Sequence, residues 1–181
     1  MKFCSQCGHS VRQIIPAGDN RQRHVCPSCD EVFYKNPRII AGCIPVWQDK
    51  VLLCKRAIEP RRGFWTLPAG FMEIGETTEQ AAIRETLEEA EAIVKTEGLY
   101  AVFNLPNIAQ VYMIYRSSLS VPEFSSGEES LETRLFAEDE IPWDQLAFET
   151  MRLSLEYYFT DRAQGEFKFR TTDIKEPVFE K

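Results

Sequence analysis

A chain of 181 residues and 20.9 kDa has room for one domain of ordinary size, about 100–150 residues, plus a small module. Its 44% hydrophobic, 12% aromatic and 27% charged residues are enough to fill a core, which excludes a disordered chain, a collagen or a coiled coil. The net charge of −7 and pI near 5.0 exclude a nucleic-acid binder that relies on a general basic field, so a polyanionic ligand would need local help such as a metal ion.

Residues 1–36 are loop-rich and hold two CxxC pairs, Cys4/Cys7 and Cys26/Cys29, separated by 18 residues that include Pro16, Gly18, Asp19 and Asn20. A CxxC turn sets two thiolates on one side of a tetrahedron and two such turns close it, so this spacing points to a zinc ribbon. The alternative, free or redox-active thiols, fits poorly with a segment that has almost no core of its own. Four thiolates leave no open coordination position, which makes the Zn²⁺ structural. His9 and His24 are surplus to such a site, each either replacing a cysteine as ligand or, the favoured reading, sitting on the surface, and Cys43 and Cys54 fall inside apparent strands, where cysteine packs as a small hydrophobe.

A second domain is expected over residues 37–162. IIAGCIPVW and VLLCKR read as a hairpin around Gln48-Asp49-Lys50, followed by a polar loop and then FWTLPAGFMEIGE, where Pro68, Gly70 and Gly75 break the pattern. A helix is predicted from about Thr77 to Val94, opening on a capping box of Thr77 and Gln80. Beyond it, LYAVFNL and AQVYMIYRSSL read as strands around Pro106-Asn107. TRLFA reads as a short strand after an acidic loop, and FETMRLSLEYYF as an amphipathic helix. Residues 163–181 form a charged tail with no assigned place. No apolar run is long enough to span a membrane and no export signal precedes the cysteines, so the expectation is a cytoplasmic protein without a membrane partner.

At about 100° per residue from Ala81, Glu88, Glu85 and Glu89 fall near 340°, 40° and 80°, while Ala82, Ile83, Leu87, Ala90, Ile93 and Val94 cover about 100–240°. The expected core face is therefore opposed to an acid stripe. A solvated face is the common reason for such a stripe. Against it, the like-charge pairs cost about 0.2–0.5 kcal/mol each and lie in the half of the helix where the dipole disfavours anions. Mg²⁺ or Mn²⁺, which take carboxylate oxygens, retain waters and bind phosphates, would relieve both costs.

The stretch from Gly70 through Glu76, Arg84, Glu85, Glu88 and Glu89 to Ala92 resembles the box of the Nudix hydrolases, G-x5-E-x7-R-E-U-x-E-E-x-G-U with U apolar, and matches it at every charged position. It departs at Thr86, where an apolar residue is usual, and at Glu91-Ala92, which replace Gly-U. The helix is therefore expected to end by some route other than a glycine cap. The resemblance implies an α+β fold, a Nudix α/β/α sandwich with a mixed sheet, here preceded by a small zinc ribbon. It implies a hydrolase that cleaves a diphosphate joining a nucleoside to another moiety, with metal held by Glu85, Glu88, Glu89 and the Ala69 carbonyl. In that family-based picture Arg84 orients a box glutamate, with Glu76 its partner, and Glu132 is a further metal ligand or general base, with a plain surface-loop acid beside Glu128 and Glu129 as the other reading open to it. Phe64, Trp65, Phe103 and Tyr112 flank the box as candidate ring-binding residues, with core packing as the other fate open to each.

A ribbon ahead of the box is similar to the NADH pyrophosphatases, but their SQPWPFP signature is missing. The segments FNLPNIAQVYMIY and ESLETRLFAEDEIPWDQLAF look more like plant plastid Nudix enzymes acting on FAD and ADP-ribose. The resemblance thus implies a small-molecule dinucleotide or nucleotide-sugar substrate, FAD or ADP-ribose favoured over NADH, and a homodimer. A non-catalytic nucleotide sensor with a nucleic-acid-reading ribbon is the competing class. The intact acids and the scattered basic residues Lys2, Arg12, Arg21, Arg23 and Lys35 argue against it and against nucleic acid as a partner.

Overall fold

The computed structural model describes residues 1–175; the last part of the expected tail, 176–181, lies outside the described residues. The chain divides into two compact units, Met1–Pro37 and Arg38–Lys181. In the first, β1 (Arg12–Ile14), β2 (Arg23–Val25) and β3 (Val32–Phe33) pair antiparallel in that order. β1 is exposed along its length, so the sheet buries little apolar area and cannot by itself offset the entropy of ordering the segment. Two turns carry the cysteines. Gly8 N donates to Cys4 O at 3.0 Å and Asp30 N to Cys26 O at 2.9 Å, with Gly8 (φ 76°) and Asp30 (φ 59°) in the left-handed region that glycine and short polar residues tolerate.

The second unit is built on a mixed sheet. Its strands are β4 (Arg38–Trp47), β5 (Lys50–Arg56), β6 (Trp65–Thr66), β7 (Ala69–Phe71), β8 (Val94–Leu105), β9 (Gln110–Leu119), β10 (Ser130–Phe136) and β11 (Arg170–Asp173). The order is β10-β5-β4-β9-β8-β11, with β6 on β5 and β7 on β4. β4/β9 and β8/β11 are parallel and the other pairings antiparallel. The hairpin turns at Gln48-Asp49, with Gln48 at φ 58° and Trp47 opposite Lys50.

Alternate residues of the central strands face two separate cores. Ala41, Cys43, Leu52, Cys54 and Tyr115 pack against Ala81, Ala82 and Ala90 of helix α1 (Thr78–Ala90). Ile44, Val51, Leu53 and Ile114 pack against Met151, Leu155 and Phe159 of helix α2 (Glu149–Gln164). Helix, sheet and helix make the α/β/α sandwich.

Two expectations are corrected here. The segment after residue 162 is not an appendage: β11 forms the parallel edge of the sheet, Arg170–Asp173 opposite Ala101–Asn104 of β8. An ion pair buried at its acidic end anchors it. Asp161, fully buried on α2, takes hydrogen bonds from Tyr100 Oη at 2.8 Å, Lys168 N at 2.9 Å and Arg170 Nη1 at 2.6 Å, and Arg170 above all holds its carboxyl well below the usual range. The first helix also ends at Ala90 rather than near Val94, which starts β8. Glu91 itself takes the left-handed cap position (φ 48°), its N–H bonded to Leu87 O at 2.8 Å, so a non-glycine residue makes the cap.

Candidate active site

A cleft of about 720 Å³ opens beside α1 in the second unit, within the range of small-molecule sites. Ala69, Gly70, Arg84, Glu85, Glu88 and Glu89 line it, joined by Glu128 and Glu129 from the segment before β10. The helix that brings the acids there begins where its sequence dictates: Thr77 Oγ1 accepts from Gln80 N at 3.1 Å and Gln80 Oε1 accepts from Thr77 N at 2.8 Å, a complete capping box.

The expected helix faces are rotated. Ile83 and Leu87 are 36% and 50% exposed, whereas Ala81, Ala82, Thr86, Glu89 and Ala90 are buried. The buried arc thus centres near 90° on the same wheel, and Glu89, at 6% exposure, lies inside it. The physical reason is side-chain size. Alanines at 81, 82 and 90, and Thr86 with its hydroxyl bonded to Ala82 O at 2.7 Å, let α1 ride close on the sheet, where isoleucine and leucine have no room.

Arg84 ties the acids together. Its Nε and Nη2 donate to Glu76 at 3.0 and 2.8 Å, Nη1 to Glu85 at 2.7 Å and to Glu88 at 2.9 Å, and Nη2 also to Phe71 O at 3.1 Å. This pairing, reinforced by the N–H of Glu73 at 2.6 Å, lowers the Glu76 carboxyl to about 2. Glu85 is shifted the other way: burial raises it and Glu88 and Glu129 add to the shift, against Arg84. Glu89 lies outside the set of acids bonded to Arg84; it accepts a 3.2 Å bond from Ala69 N. Burial above all pushes its carboxyl up to about 8, with Glu85 and Glu129 adding and Arg56 opposing. Carboxylates whose charge is this poorly compensated match the all-oxygen donor set of a hard divalent cation.

Close packing dictates two glycines. A Cβ on Gly70 would lie 2.3 Å from Glu85 Cδ, and one on Gly127 would lie 1.7 Å from Glu88 O. Gly127 N donates to Glu89 O at 3.1 Å and Ser125 N to Ala90 O at 2.9 Å, so the segment before β10 satisfies carbonyls that the end of α1 leaves unpaired.

Not every predicted residue reaches the cleft. Glu132 belongs to β10 rather than to the preceding loop: it is exposed, pairs with Lys55 across a register shift after Ser130, and does not line the cleft. The acids of that segment that do line it are Glu128 and Glu129. Of the four aromatic candidates only Tyr112 lines the cleft. Trp65 and Phe103 belong to the core, and Phe64 sits 5.1 Å under the guanidinium of Arg61. Arg56, Phe71 and Phe148 line the cleft without having been foreseen. Arg56 ends the VLLCKR run that was read only as a strand, and nothing in the local pattern around Phe148 marks it.

In the first unit the Sγ atoms of Cys4, Cys7, Cys26 and Cys29 all lie within 4.8 Å of one another. The separations Cys4–Cys29, Cys7–Cys26 and Cys7–Cys29 are 3.7, 3.4 and 3.5 Å, near the edge of about 3.8 Å expected for a tetrahedron with 2.3 Å Zn–S bonds. His9 is exposed with Nδ1 3.2 Å from Cys7 O, and neither His9 nor His24 joins this group. Among the described residues no helix is long and apolar enough to cross a membrane.

Comparison with known proteins agrees with both units. The family model described as Nudix N-terminal, a zinc ribbon, matches residues 2–35, and the NUDIX domain model matches residues 36–158. A Nudix hydrolase crystal structure from Nitrosomonas europaea is 54% identical, with a TM-score of 0.95 over 97% of this chain and 100% of that one. An ADP-ribose pyrophosphatase of Methanocaldococcus jannaschii is 30% identical over 129 residues, 69% of this chain and 75% of that protein. An NAD-capped RNA hydrolase of Salmonella heidelberg is 33% identical over 153 residues, 78% of this chain but 53% of that enzyme, so the chain spans about half of its length. With its box at Gly70–Ala92, a four-cysteine ribbon and the helix–sheet–helix sandwich, the chain belongs to the Nudix family.

Proposed function

We propose that the chain is a divalent-metal-dependent pyrophosphatase that hydrolyses the diphosphate of an ADP-containing dinucleotide or nucleotide sugar, ADP-ribose or FAD in the first place. The products are AMP and the other phosphorylated half. The observation that carries this reading is Glu89, a buried carboxyl pushed up to about 8 beside Glu85 and outside the set that Arg84 neutralises. In this reading Glu85, Glu88, Glu89 and the Ala69 carbonyl hold Mg²⁺ or Mn²⁺. Such ions neutralise phosphate charge and lower the pKa of an attacking water. Arg84, clamped by Glu76, sets the directions of Glu85 and Glu88, and Gly70 gives Glu85 its space. Glu128 and Glu129 replace Glu132 as candidates for accepting the proton of the attacking water. Tyr112 and Phe148 replace Phe64, Trp65 and Phe103 as surfaces for the rings. Zn²⁺ on Cys4, Cys7, Cys26 and Cys29 is structural.

A second reading, hydrolysis of NADH or of an NAD-linked end, is favoured by the relative named as an NAD-capped RNA hydrolase. A panel of ADP-ribose, FAD, NADH and NAD-capped RNA, incubated with the full chain and Mg²⁺ and followed by product identification, separates the two. ADP-ribose or FAD should have the higher kcat/KM. A tenfold preference for NADH or the capped RNA would establish the second reading, and inactivity on the whole panel with metal bound would leave a nucleotide sensor.

A further inference from the structure

Among the described residues, Arg56 and Arg84 are the cations that line the cleft. The donors of Arg84 are committed to Glu76, Glu85, Glu88 and Phe71 O. Arg56 is held differently. Its backbone is fixed on both sides, N–H to Phe64 O at 2.9 Å and C=O from Gly63 N at 2.8 Å. Its Nε donates to Pro60 O at 2.8 Å, and its guanidinium lies over the Phe148 ring, 5.1 Å from the centroid. Both terminal nitrogens are without a hydrogen-bond acceptor among the described residues, although seven carboxylates line the same cleft. Arg56 nevertheless acts electrostatically on two cleft residues, favouring the charged forms of Glu89 and Tyr112. An arginine fixed at its Nε and on one π face keeps a flat outer edge of paired N–H donors, which matches two oxygens of one phosphate.

We infer that Arg56, braced by Phe148 and Pro60, is the anion anchor of the cleft, taking the phosphate of a diphosphate that lies away from the carboxylates. This rests on the pyrophosphatase reading and deepens it. The acidic end suits a phosphate that arrives with cations. The second phosphate of a diphosphate would otherwise face a cleft with a large excess of acids, and Arg56 is where the chain supplies the opposite charge. A monophosphate occupies one of the two positions and gains less from the pair.

Calorimetric titration of the full chain in Mg²⁺ with ADP and with AMP tests the anchor. Arg56→Gln should weaken ADP at least tenfold and AMP less than threefold, with the melting temperature little changed. Arg56→Lys, which keeps the charge but loses the flat fork and the ring contact, should recover only part of the loss, and it serves as the test should the glutamine variant not fold. Equal weakening of ADP and AMP by both variants, or wild-type ADP affinity in either, would overturn the assignment. Wild-type chain that binds ADP through Arg56 but hydrolyses no diphosphate would overturn the pyrophosphatase reading and leave the anchor standing. Active enzyme whose Arg56→Gln variant keeps its KM and its ADP affinity would do the reverse.

Discussion

Gly70 and the carboxylate of Glu85 touch so closely that no side chain fits between them: a Cβ on Gly70 would meet Glu85 Oε1 at 2.4 Å and Oε2 at 2.3 Å. What must yield is the mobile end of a glutamate rather than backbone. Gly70→Ala should therefore cost little stability, a shift of a few degrees in Tm, while lowering kcat/KM at least tenfold because the displaced atoms are the ones assigned to metal. Activity within twofold of wild type would show that the position of Glu85 is not needed.

Glu89→Gln keeps an oxygen acceptor for the Ala69 N–H but removes the carboxyl that can ionise to hold a cation. In metal-free protein it should leave Tm unchanged or raise it, since burial is what pushes the Glu89 carboxyl up to about 8. In Mg²⁺ it should lower kcat by at least about 100-fold. Melting curves with and without Mg²⁺, paired with turnover, check both halves; unchanged turnover would remove Glu89 from the chemistry.

Asp161 gives a pH dependence of known sign. Its carboxyl is held below the usual range in the folded chain, so its contribution is present above the unfolded carboxylate pKa, near 3.9, and is lost as pH falls from there through the folded value. Asp161→Asn should destabilise the protein at pH 7 by about 1.5–3 kcal/mol, the scale of hydrogen bonds to a charged group, because the Arg170 left behind is partly exposed. The difference from wild type should shrink steadily below about pH 4. Denaturant unfolding at pH 7 and pH 3 measures it, and a gap independent of pH would show that the ion pair contributes nothing.

One Zn²⁺ per chain is expected at Cys4, Cys7, Cys26 and Cys29. Cys7→Ser, or a strong chelator, should unfold the Met1–Pro37 unit, which has little core, and leave the diphosphate chemistry largely intact. Metal analysis finding less than about half an equivalent, with four thiols titratable under native conditions, would refute the site.

What could be read from the sequence is what is local. The two CxxC turns, the Gln48-Asp49 hairpin and the Thr77/Gln80 cap each depend on residues a few positions apart, and so does the spacing from Gly70 to Glu89. What could not be read depends on partners far along the chain. β11 is specified by pairing between residues such as Arg170 and Ala101, and a four-residue segment carries too little alternation to announce it. The register shift after Ser130 decides that Glu128 and Glu129 line the cleft while Glu132 does not, and no local signal marks it. The rotated face of α1 was hidden by a reasonable rule, because isoleucine and leucine ordinarily face the core and glutamate ordinarily does not.

The bonds from Ser125 N to Ala90 O and from Gly127 N to Glu89 O join backbone to backbone. The seating of Glu128 and Glu129 beside α1 thus needs an amide at 125 and the absence of a side chain at 127, and makes no demand on what residues 128 and 129 are. Ser120 N is bonded to Ile93 O at 2.8 Å and Phe124 packs against the core beneath α1, so it is the chain between them, 121–123, that can lengthen or shorten, and the two acids can be exchanged, while the docking of the segment onto the helix end stays put. The chemistry on this side of the cleft is thereby open to variation at little cost to the frame that carries it.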